Sequence, residues 1–453
     1  MDTKKLRQKI LDLAIHGKLV PQDPSDEPAS VLLERIKAEK ERLIKEGKIK
    51  KSKKSAKTSD TPHYENVPFE VPKGWVWTIV GEVGEVITGS TPSKDIAEYY
   101  GGDIPFYKPT DLDLGINTNS ASDTLTSEGY NLSRKLPVGS ILVTCIGATI
   151  GKTGLISTEG ACNQQINAII PSSLITSTFL YYSCISEYFQ KEIRNHASAT
   201  TLPILNKNNF TKLLIPLPPL SEQQRIVKEI ERWFALIEQI EQSKADLQTT
   251  IKQTKSKILD LAIHGKLVPQ DPNDEPAIEL LKRINPDFTP CDNGHYENLP
   301  DGWGVCRLED IVDYEQPTAY IVNSTSYNDS YPIPVLTAGK SFIIGYTNEV
   351  KGIYSKLPCI IFDDFTTDSK FVDFPFKVKS SAMKILQIRK DVETEYVAMF
   401  MNTTRLIGDT HKRYWISEYS KLTIPIPPKA EQKRIVDTVH TAFAKLDTIM
   451  ESL

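Results

Sequence analysis

An internal repeat is the feature that most constrains how this 453-residue chain can fold. The segments 9–29 and 257–277 are identical at 20 of their 21 positions. Two further landmarks recur in the same order: His63-Tyr64-Glu65-Asn66 returns at 295–298, and the sequence IPLPPLSEQQRIV at 215–227 returns as IPIPPKAEQKRIV at 424–436. The three offsets are 248, 232 and 209, so the frame repeats while its spacers change length. Such a repeat predicts two copies of one architectural unit.

The two stretches between the landmarks, which we call the inserts, diverge. The first insert is Val76 to Leu214 and the second is Gly304 to Thr423. They share little beyond a weak pattern typical of strands, and a Gly-Trp pair precedes each. Alternating Val, Ile, Tyr and Phe residues with Gly, Pro and Asn turns predict strands in both. We therefore predict an α+β fold: two sheet-containing domains separated by long antiparallel coiled-coil helices, with a pseudo-two-fold internal repeat.

The helical part of the frame follows a heptad pattern. In the central segment Ser221 to His264, apolar residues recur at alternating steps of four and three, with Lys244 and Thr254 filling two of the slots. This pattern predicts a coiled-coil helix roughly 65 Å long. Glu431 to Leu453 repeats its first half and Met1 to His16 its second half. We therefore expect the two terminal helices to lie end to end against the central helix, with their terminal Cα atoms on the order of 8 Å apart.

Net charge, cysteine spacing and hydropathy limit the kinds of partner and the cellular compartment that this chain can have. The net charge of −4 means that binding to nucleic acid would have to come from local patches. The basic tract Lys45 to Lys57, absent from the second copy, fits either phosphate attraction or a solvated linker. The six cysteines occur singly, which predicts reduced core residues. No apolar run is long enough for a membrane span, so we expect a cytoplasmic protein without membrane contact.

Aligning the two inserts brings polar positions into register. We align the inserts at their Leu-Pro pairs, 136–137 and 357–358, and extend the alignment towards the C-terminus. In this alignment Thr149 corresponds to Thr367, and Lys152 corresponds to Lys370. Amides, hydroxyls, lysines and arginines at such positions are the groups that reach base edges and phosphates. The candidate DNA-contacting residues are Tyr107, Lys108, Thr110, Thr149, Lys152, Asn163, Gln164, Asn206, Lys207, Thr337, Lys340, Thr367, Lys370, Ser380, Ser381, Lys412, Arg413 and Tyr414.

Catalytic motifs are weak. The segment GATIGKT at 147–153 is one residue short of a phosphate-binding loop, so we interpret it as a tight connection between strands. Asp363, Asp364 and Asp368 faintly suggest a metal-dependent nuclease, but the first copy has no acids in register. The chain also lacks GxGxxG and any Asn-Pro-Pro-aromatic tetrapeptide. We expect no catalytic residue, no cofactor and no metal, and assign His16 and His264 to helix capping.

Several motifs together resemble one known family. They are ILDLAIHGKLVPQDP, PxGW, GGDIPFYKPTDL, GATIGKTGLISTEGACNQQINAIIP and IPLPPLSEQQRIV. In combination they resemble the specificity subunits of type I restriction–modification enzymes over essentially the whole chain. The helical frame begins at the N-terminus here, which is a permuted order relative to subunits that begin with a recognition domain.

The resemblance implies a non-catalytic subunit with two target recognition domains, each reading one half of an asymmetric bipartite site in double-stranded DNA. Its helical frame would dock two modification subunits that methylate adenine, and a restriction subunit can join them. The corresponding division is 1–46 for an N-terminal helical region, 47–62 for a basic linker, 63–220 for the first recognition domain, 221–294 for the central region, 295–428 for the second recognition domain and 429–453 for a C-terminal helix.

Two other functions remain open from the residues alone. One is a coiled-coil scaffold whose two domains bind protein. The other is a nucleotide-dependent enzyme that uses Lys152. Sequence-selective DNA retention would separate the family function from the scaffold, and nucleotide hydrolysis by the isolated chain would favour the enzyme.

Overall fold

The structure is a computed structural model that describes residues 2–47, 67–198, 202–291, 296, 298–337, 341–406 and 413–453. The chain forms two compact units, Met1–Gln242 and Ser243–Leu453. The unit boundary falls within one continuous helix of 44 residues. Within the described ranges, no helix is both long and apolar enough to cross a membrane.

The first unit combines frame helices with a mixed helical and sheet insert. Two helices precede the insert, and the long helix α8 follows it. Its elements are α1 (Thr3–Ile15), α2 (Ala29–Lys45), β1 (Val76–Ile79), α3 (Val80–Val83), β2 (Gly84–Thr88), β3 (Tyr100–Tyr107), β4 (Asp123–Leu125), α4 (Ser127–Leu132), β5 (Ile141–Thr144), β6 (Thr153–Leu155), β7 (Ala161–Cys162), β8 (Ile166–Pro171), α5 (Ser177–Ile185), α6 (Glu187–Asn195), α7 (Lys207–Thr211), β9 (Leu214–Leu217) and α8 (Leu220–Ile263).

The second unit begins within α8 and repeats this plan. It ends with the long helix α13. Its further elements are α9 (Ala277–Ile284), β10 (Gly304–Arg307), α10 (Leu308–Ile311), β11 (Val312–Glu315), β12 (Ile333–Leu336), β13 (Ile343–Thr347), β14 (Cys359–Asp363), β15 (Ser369–Val372), β16 (Lys377–Val378), β17 (Met383–Ile388), α11 (Thr394–Thr403), α12 (Tyr414–Ser417), β18 (Thr423–Ile426) and α13 (Lys429–Ser452).

The two inserts share a topology although their sequences differ. In the first, an antiparallel sheet has the order β2-β8-β5-β6, and a smaller mixed sheet has the order β4-β3-β7. In the second, β11-β17-β14-β15 and β13-β12-β16 repeat both orders and strand directions. The predicted α+β fold with an internal repeat is therefore confirmed.

Each insert joins its frame through a pair of antiparallel strands, which we call the neck. In the first unit the neck is β1 with β9, and in the second it is β10 with β18. Ile79 pairs with Leu214 and Arg307 with Thr423, so each insert enters and leaves at adjacent points. The neck holds the two ends of an insert together whatever lies between them.

The terminal helices pack on α8 within their own units. In the first unit, Arg7 of α1 lies over the Phe234 ring at 5.0 Å and donates to Glu241 at 3.0 Å. In the second, Lys255 lies over the Phe443 ring of α13 at 4.9 Å and pairs with Asp447 at 2.5 Å. Both contacts fit the predicted antiparallel pairing. Met1 lies outside the described residues, so the end-to-end arrangement of the termini stays a prediction.

A buried carboxylate links the parts of the first frame. Glu222, only 1% exposed, accepts hydrogen bonds from the Trp75 indole at 2.9 Å and from the Gln22 amide at 2.7 Å. Burial raises the pKa of this carboxyl group. Three segments far apart in sequence, namely the connector after α1, the start of the neck and the start of α8, meet at this one side chain.

The second frame repeats the arrangement atom for atom. Glu431 accepts from the Trp303 indole at 3.1 Å and from the Gln270 amide at 3.0 Å. Burial raises the pKa of the Glu431 carboxyl group as well. Beside each carboxylate, an arginine of the same helix pairs with an aspartate of the connector: Arg225 with Asp26 and Arg434 with Asp274.

The glycine that ends each repeated helix segment is required by its surroundings. Gly17 and Gly265 have φ angles of 63° and 66°. A Cβ atom at Gly17 would lie 2.3 Å from the Pro72 side chain, and one at Gly265 would lie 2.3 Å from the Pro300 side chain. A larger residue would therefore be strained in its backbone and would also clash.

Most predictions about the frame are confirmed. The central helix, predicted for 221–264, spans Leu220–Ile263. The ring Nδ1 atoms of His16 and His264 lie 2.7 and 2.8 Å from carbonyl oxygens one turn earlier, as capping requires. All six cysteines are free, and five are buried; Cys291 is half-buried.

The apolar heptad stripe of α8 is only partly covered by the described residues, since Trp233, Ile240 and Leu247 remain 37%, 44% and 38% exposed.

Removal of the buried carboxylate is predicted to destabilise the frame. Glu222→Ala leaves the indole N–H and the Gln22 amide without an acceptor, which should lower the free energy of unfolding by about 2 to 4 kcal/mol. Denaturant unfolding of the full chain, followed by tryptophan fluorescence, measures the loss. Glu431→Ala should act similarly, whereas the exposed Glu231→Ala should change stability by less than about 0.5 kcal/mol. Equal transitions for the Glu222 and Glu231 variants would contradict this account.

Candidate functional site

The loop between β5 and β6 carries the first group of candidate residues. It is a closed hairpin, because Thr144 N–H donates to Lys152 O at 2.8 Å and Gly151 N–H donates back to Thr144 O at 2.8 Å. Thr149 is exposed at its tip. The Lys152 ammonium pairs with the Asp113 carboxylate at 2.7 Å. The expected tight connection between strands is thus confirmed, and its lysine is engaged within the chain.

The end of β3 carries the second group. Tyr107 is fully buried, and its hydroxyl donates to Thr158 O at 3.0 Å. Burial raises the pKa of Tyr107 to about 12. Lys108 pairs with Asp123, and exposed Thr110 follows two residues later. The end of β3 therefore keeps Tyr107 inside, while the residues that follow the strand place half-buried Lys108 and exposed Thr110 towards solvent.

A third group lies where two loops touch. The Gln164 side-chain oxygen accepts from the Thr91 hydroxyl at 2.5 Å, and the Asn163 amide donates to the Gln165 side chain at 2.9 Å. Gly89 permits the approach, since a Cβ there would lie 2.0 Å from Asn163 O. The result is a surface of amides and hydroxyls that already satisfy one another. Thr91 is not among the residues predicted from sequence, although its turn-forming neighbours Gly89, Ser90 and Pro92 indicate a loop.

The last candidates of the first insert belong to the short helix α7. Asn206 is its N-cap, and the side-chain oxygen accepts from Asn209 N–H at 2.9 Å. Lys207, the first residue of α7, is exposed. The capping bond fixes the Asn206 side chain, while the Lys207 ammonium stays accessible.

The second insert corrects the alignment made from sequence. Val143 lies opposite Thr153 across the first hairpin, and Phe362 lies opposite Ser369 across the second. Val143 and Phe362 are structurally equivalent positions of the two inserts, because each packs into the core that also contains the long helix of its frame. The second hairpin loop is therefore shorter, and Asp368 holds the position of Lys152. The predicted pairing of Lys152 with Lys370 is wrong: Lys370 lies within β15, opposite Ile361.

Three candidate side chains are buried, which corrects their assignment as DNA contacts. Besides Tyr107, they are Thr367, which is fully buried, and Tyr414, which is 4% exposed. Thr367 adopts a φ of 57°, and its hydroxyl accepts from Leu406 N–H at 3.2 Å. A polar residue in a turn signals a surface position in sequence, but here the hydroxyl satisfies backbone groups in the interior.

The other candidates of the second insert lie on loops or outside the described residues. Ser380 and Ser381 are exposed between β16 and β17, and the half-buried Thr337 donates to Ser341 O at 3.2 Å. Arg413 is exposed, with its guanidinium 6.0 Å from the Phe365 ring centroid. Lys340 and Lys412 lie outside the described residues.

The acidic residues of the second hairpin serve the turn and its neighbours. The Asp363 carboxylate accepts from the N–H groups of Phe365 at 2.9 Å and Thr366 at 3.0 Å. Asp364 is buried beside the Lys384 ammonium, 3.4 Å away. Asp368 pairs with Arg405 at 2.9 Å. Across the described ranges, no group of three or more His, Cys, Asp or Glu residues could hold a metal ion.

Comparisons with known proteins agree on one family. The model of the type I restriction modification DNA specificity domain matches residues 72–249 and 300–453. The chain is 54% identical over 141 residues to the EcoR124I/EcoR124II specificity subunit of Escherichia coli, covering 29% of this chain and 35% of that relative. It is 27% identical to the EcoEI specificity subunit of Escherichia coli, covering 99% of this chain and 90% of the relative.

The fold also has a solved counterpart. A chain from a study of complex assembly and conformational transition of a type I R-M system aligns with a TM-score of 0.61. The alignment covers 85% of this chain and 94% of the other at 17% identity. At that identity the likeness concerns the fold alone. The match to the EcoR124I/EcoR124II subunit spans only about a third of that relative.

Proposed function

Because this chain belongs to the type I restriction modification DNA specificity family, we propose that each insert reads one half of an asymmetric bipartite site in double-stranded DNA. One observation carries the proposal. The inserts share their strand orders but carry different polar side chains at equivalent loops, with Asn163-Gln164-Gln165 in one and Ser380-Ser381 in the other. A shared scaffold with different donor and acceptor patterns suits two readers of different base sequences.

The accessible candidates divide into two chemical groups. The lysines and Arg413 suit phosphate oxygens, which fix a protein on the duplex without reading sequence. The amides and hydroxyls at 163–164 and 380–381 suit base edges in the major groove. To bind base edges, these amides and hydroxyls would have to release their present hydrogen-bond partners. Gln164, for example, would release the Thr91 hydroxyl.

The helical frame is proposed to dock two modification subunits. Its buried network occurs twice, so a partner that recognises the frame meets two equivalent surfaces. The exposed apolar residues Trp233, Ile240 and Leu247 of α8 continue the heptad and suit a partner helix. A restriction subunit can join the same complex. The chain itself would use no cofactor and would act where chromosomal DNA lies, in the cytoplasm.

Exchange of one insert tests the proposed function. The necks set the cut points, so residues 80–213 should be replaced by the insert of a relative while β1 and β9 stay native. Sequencing of methylated DNA from a host with the chimera should show one changed half-site and one unchanged. Exchange of residues 308–422 is the matched control and should alter the other half-site. A change in both halves, or in neither, would contradict one reader per half-site.

Lysine substitutions test the phosphate contacts. Lys152→Ala and Lys370→Ala should each weaken binding about equally on all sequences and reduce the slope of log affinity against log salt by roughly one. Fluorescence anisotropy over a salt series measures both quantities. Lys73→Ala removes an exposed lysine from the frame and should leave the slope unchanged. An unchanged affinity and an unchanged slope for both Lys152→Ala and Lys370→Ala would contradict the phosphate contacts.

Partner stoichiometry follows from the repeated frame. Native mass spectrometry of the chain with saturating modification subunit should give two modification subunits for each copy of this chain. The isolated chain should methylate no DNA, and the complex should. A saturated complex with a single modification subunit would contradict docking on two equivalent surfaces.

A further inference from the structure

Two of the lysines proposed to contact DNA are engaged by carboxylates of the same insert. The Lys152 ammonium lies 2.7 Å from Asp113, which belongs to a helical turn between β3 and β4. Lys108 pairs with Asp123 in the same way. Asp113 is 74% exposed, so the pair with Lys152 contributes little to holding the fold together.

The second insert has an ion pair at the equivalent point with the charges exchanged. Asp368 is the last residue before β15, as Lys152 is the last residue before β6. Its partner is Arg405, which follows α11 and is 58% exposed. Both inserts, although their sequences diverge, therefore have an ion pair at the end of this hairpin. The hairpin supplies the cation in the first insert and the carboxylate in the second.

We propose that Asp113 and Asp368 compete with DNA phosphate for Lys152 and Arg405 and thereby hold down the sequence-independent affinity of the two inserts. The inference rests on the proposed DNA-reading function. Phosphate contacts supply essentially all of non-specific binding, so a competing carboxylate acts directly on it. A site-specific subunit gains from such a restraint because non-target sequence far outnumbers its sites.

Each pair joins one exposed side chain, Asp113 at 74% or Arg405 at 58%, to one that is less than a quarter exposed, Lys152 or Asp368. Exposed ion pairs are worth about 0.2 to 1 kcal/mol, which corresponds to a change of roughly 1.4- to 5-fold in a binding constant. Asp113→Asn keeps the shape of the side chain but frees the Lys152 ammonium. Affinity for a random-sequence duplex should then rise by about 1.4- to fivefold at low salt. The salt slope should stay as it is, because the same phosphates are still contacted.

The control variants separate this contact from a general change in charge. Asp103→Asn and Asp373→Asn each remove one exposed carboxylate from the same inserts, and neither residue has an ion pair among the described residues. Each should raise affinity less than Asp113→Asn or Asp368→Asn does. In the background of Lys152→Ala, Asp113→Asn should give no gain beyond that of Asp103→Asn, since the competed cation is gone.

The measurement uses the full chain assembled with its modification subunits and labelled duplexes of random and target sequence. If Asp113→Asn and Asp368→Asn match their controls while the wild-type complex still prefers its target, the competition is refuted and the reading function stands. If the wild-type complex shows no preference for any target, the proposed function itself fails. A gain with Asp113→Asn that still exceeds that of Asp103→Asn in the Lys152→Ala background would also overturn the proposal.

Discussion

Each frame depends on one buried carboxylate. Glu222 and Glu431 are taken out of water at a cost that shows as a raised pKa, and each meets that cost with hydrogen bonds from an indole and an amide. The donors come from segments that share no secondary structure, so the carboxylate fixes where the neck starts relative to the long helix. A buried group of this kind is specific because any other arrangement would leave donors unpaired. The rest of the insert is positioned through that neck.

The proposed DNA-contacting surface is held together by weaker contacts than the frame. Its candidate groups lie on loops and satisfy one another, as Gln164 does with Thr91 and Lys152 with Asp113. Such bonds between exposed groups are weak in water, so a duplex can replace them without unfolding the loops. A frame fixed by buried hydrogen bonds and surface contacts that exchange readily would suit the proposed function, since the domain could keep its shape while its polar groups change partners.

Sequence patterns predicted the frame well and the candidate site only in part. The heptad located the central helix to within one residue at each end, and the repeat predicted two equivalent units. The pairing of Lys152 with Lys370 failed because the second hairpin loop is shorter, and loop length leaves no periodic signal. Tyr107 and Thr367 were misassigned because polarity alone does not tell a surface hydroxyl from one that satisfies a buried backbone group.

The necks also bear on how large an insert can be. Each neck closes a long loop, and the entropy lost on closing a flexible loop grows only with the logarithm of its length, about 0.6 kcal/mol for each doubling. The pairing of Ile79 with Leu214, or of Arg307 with Thr423, is the same whatever length of chain lies between. Insertions and deletions inside a recognition domain therefore cost the frame almost nothing in closure, and the domain's own core sets its size.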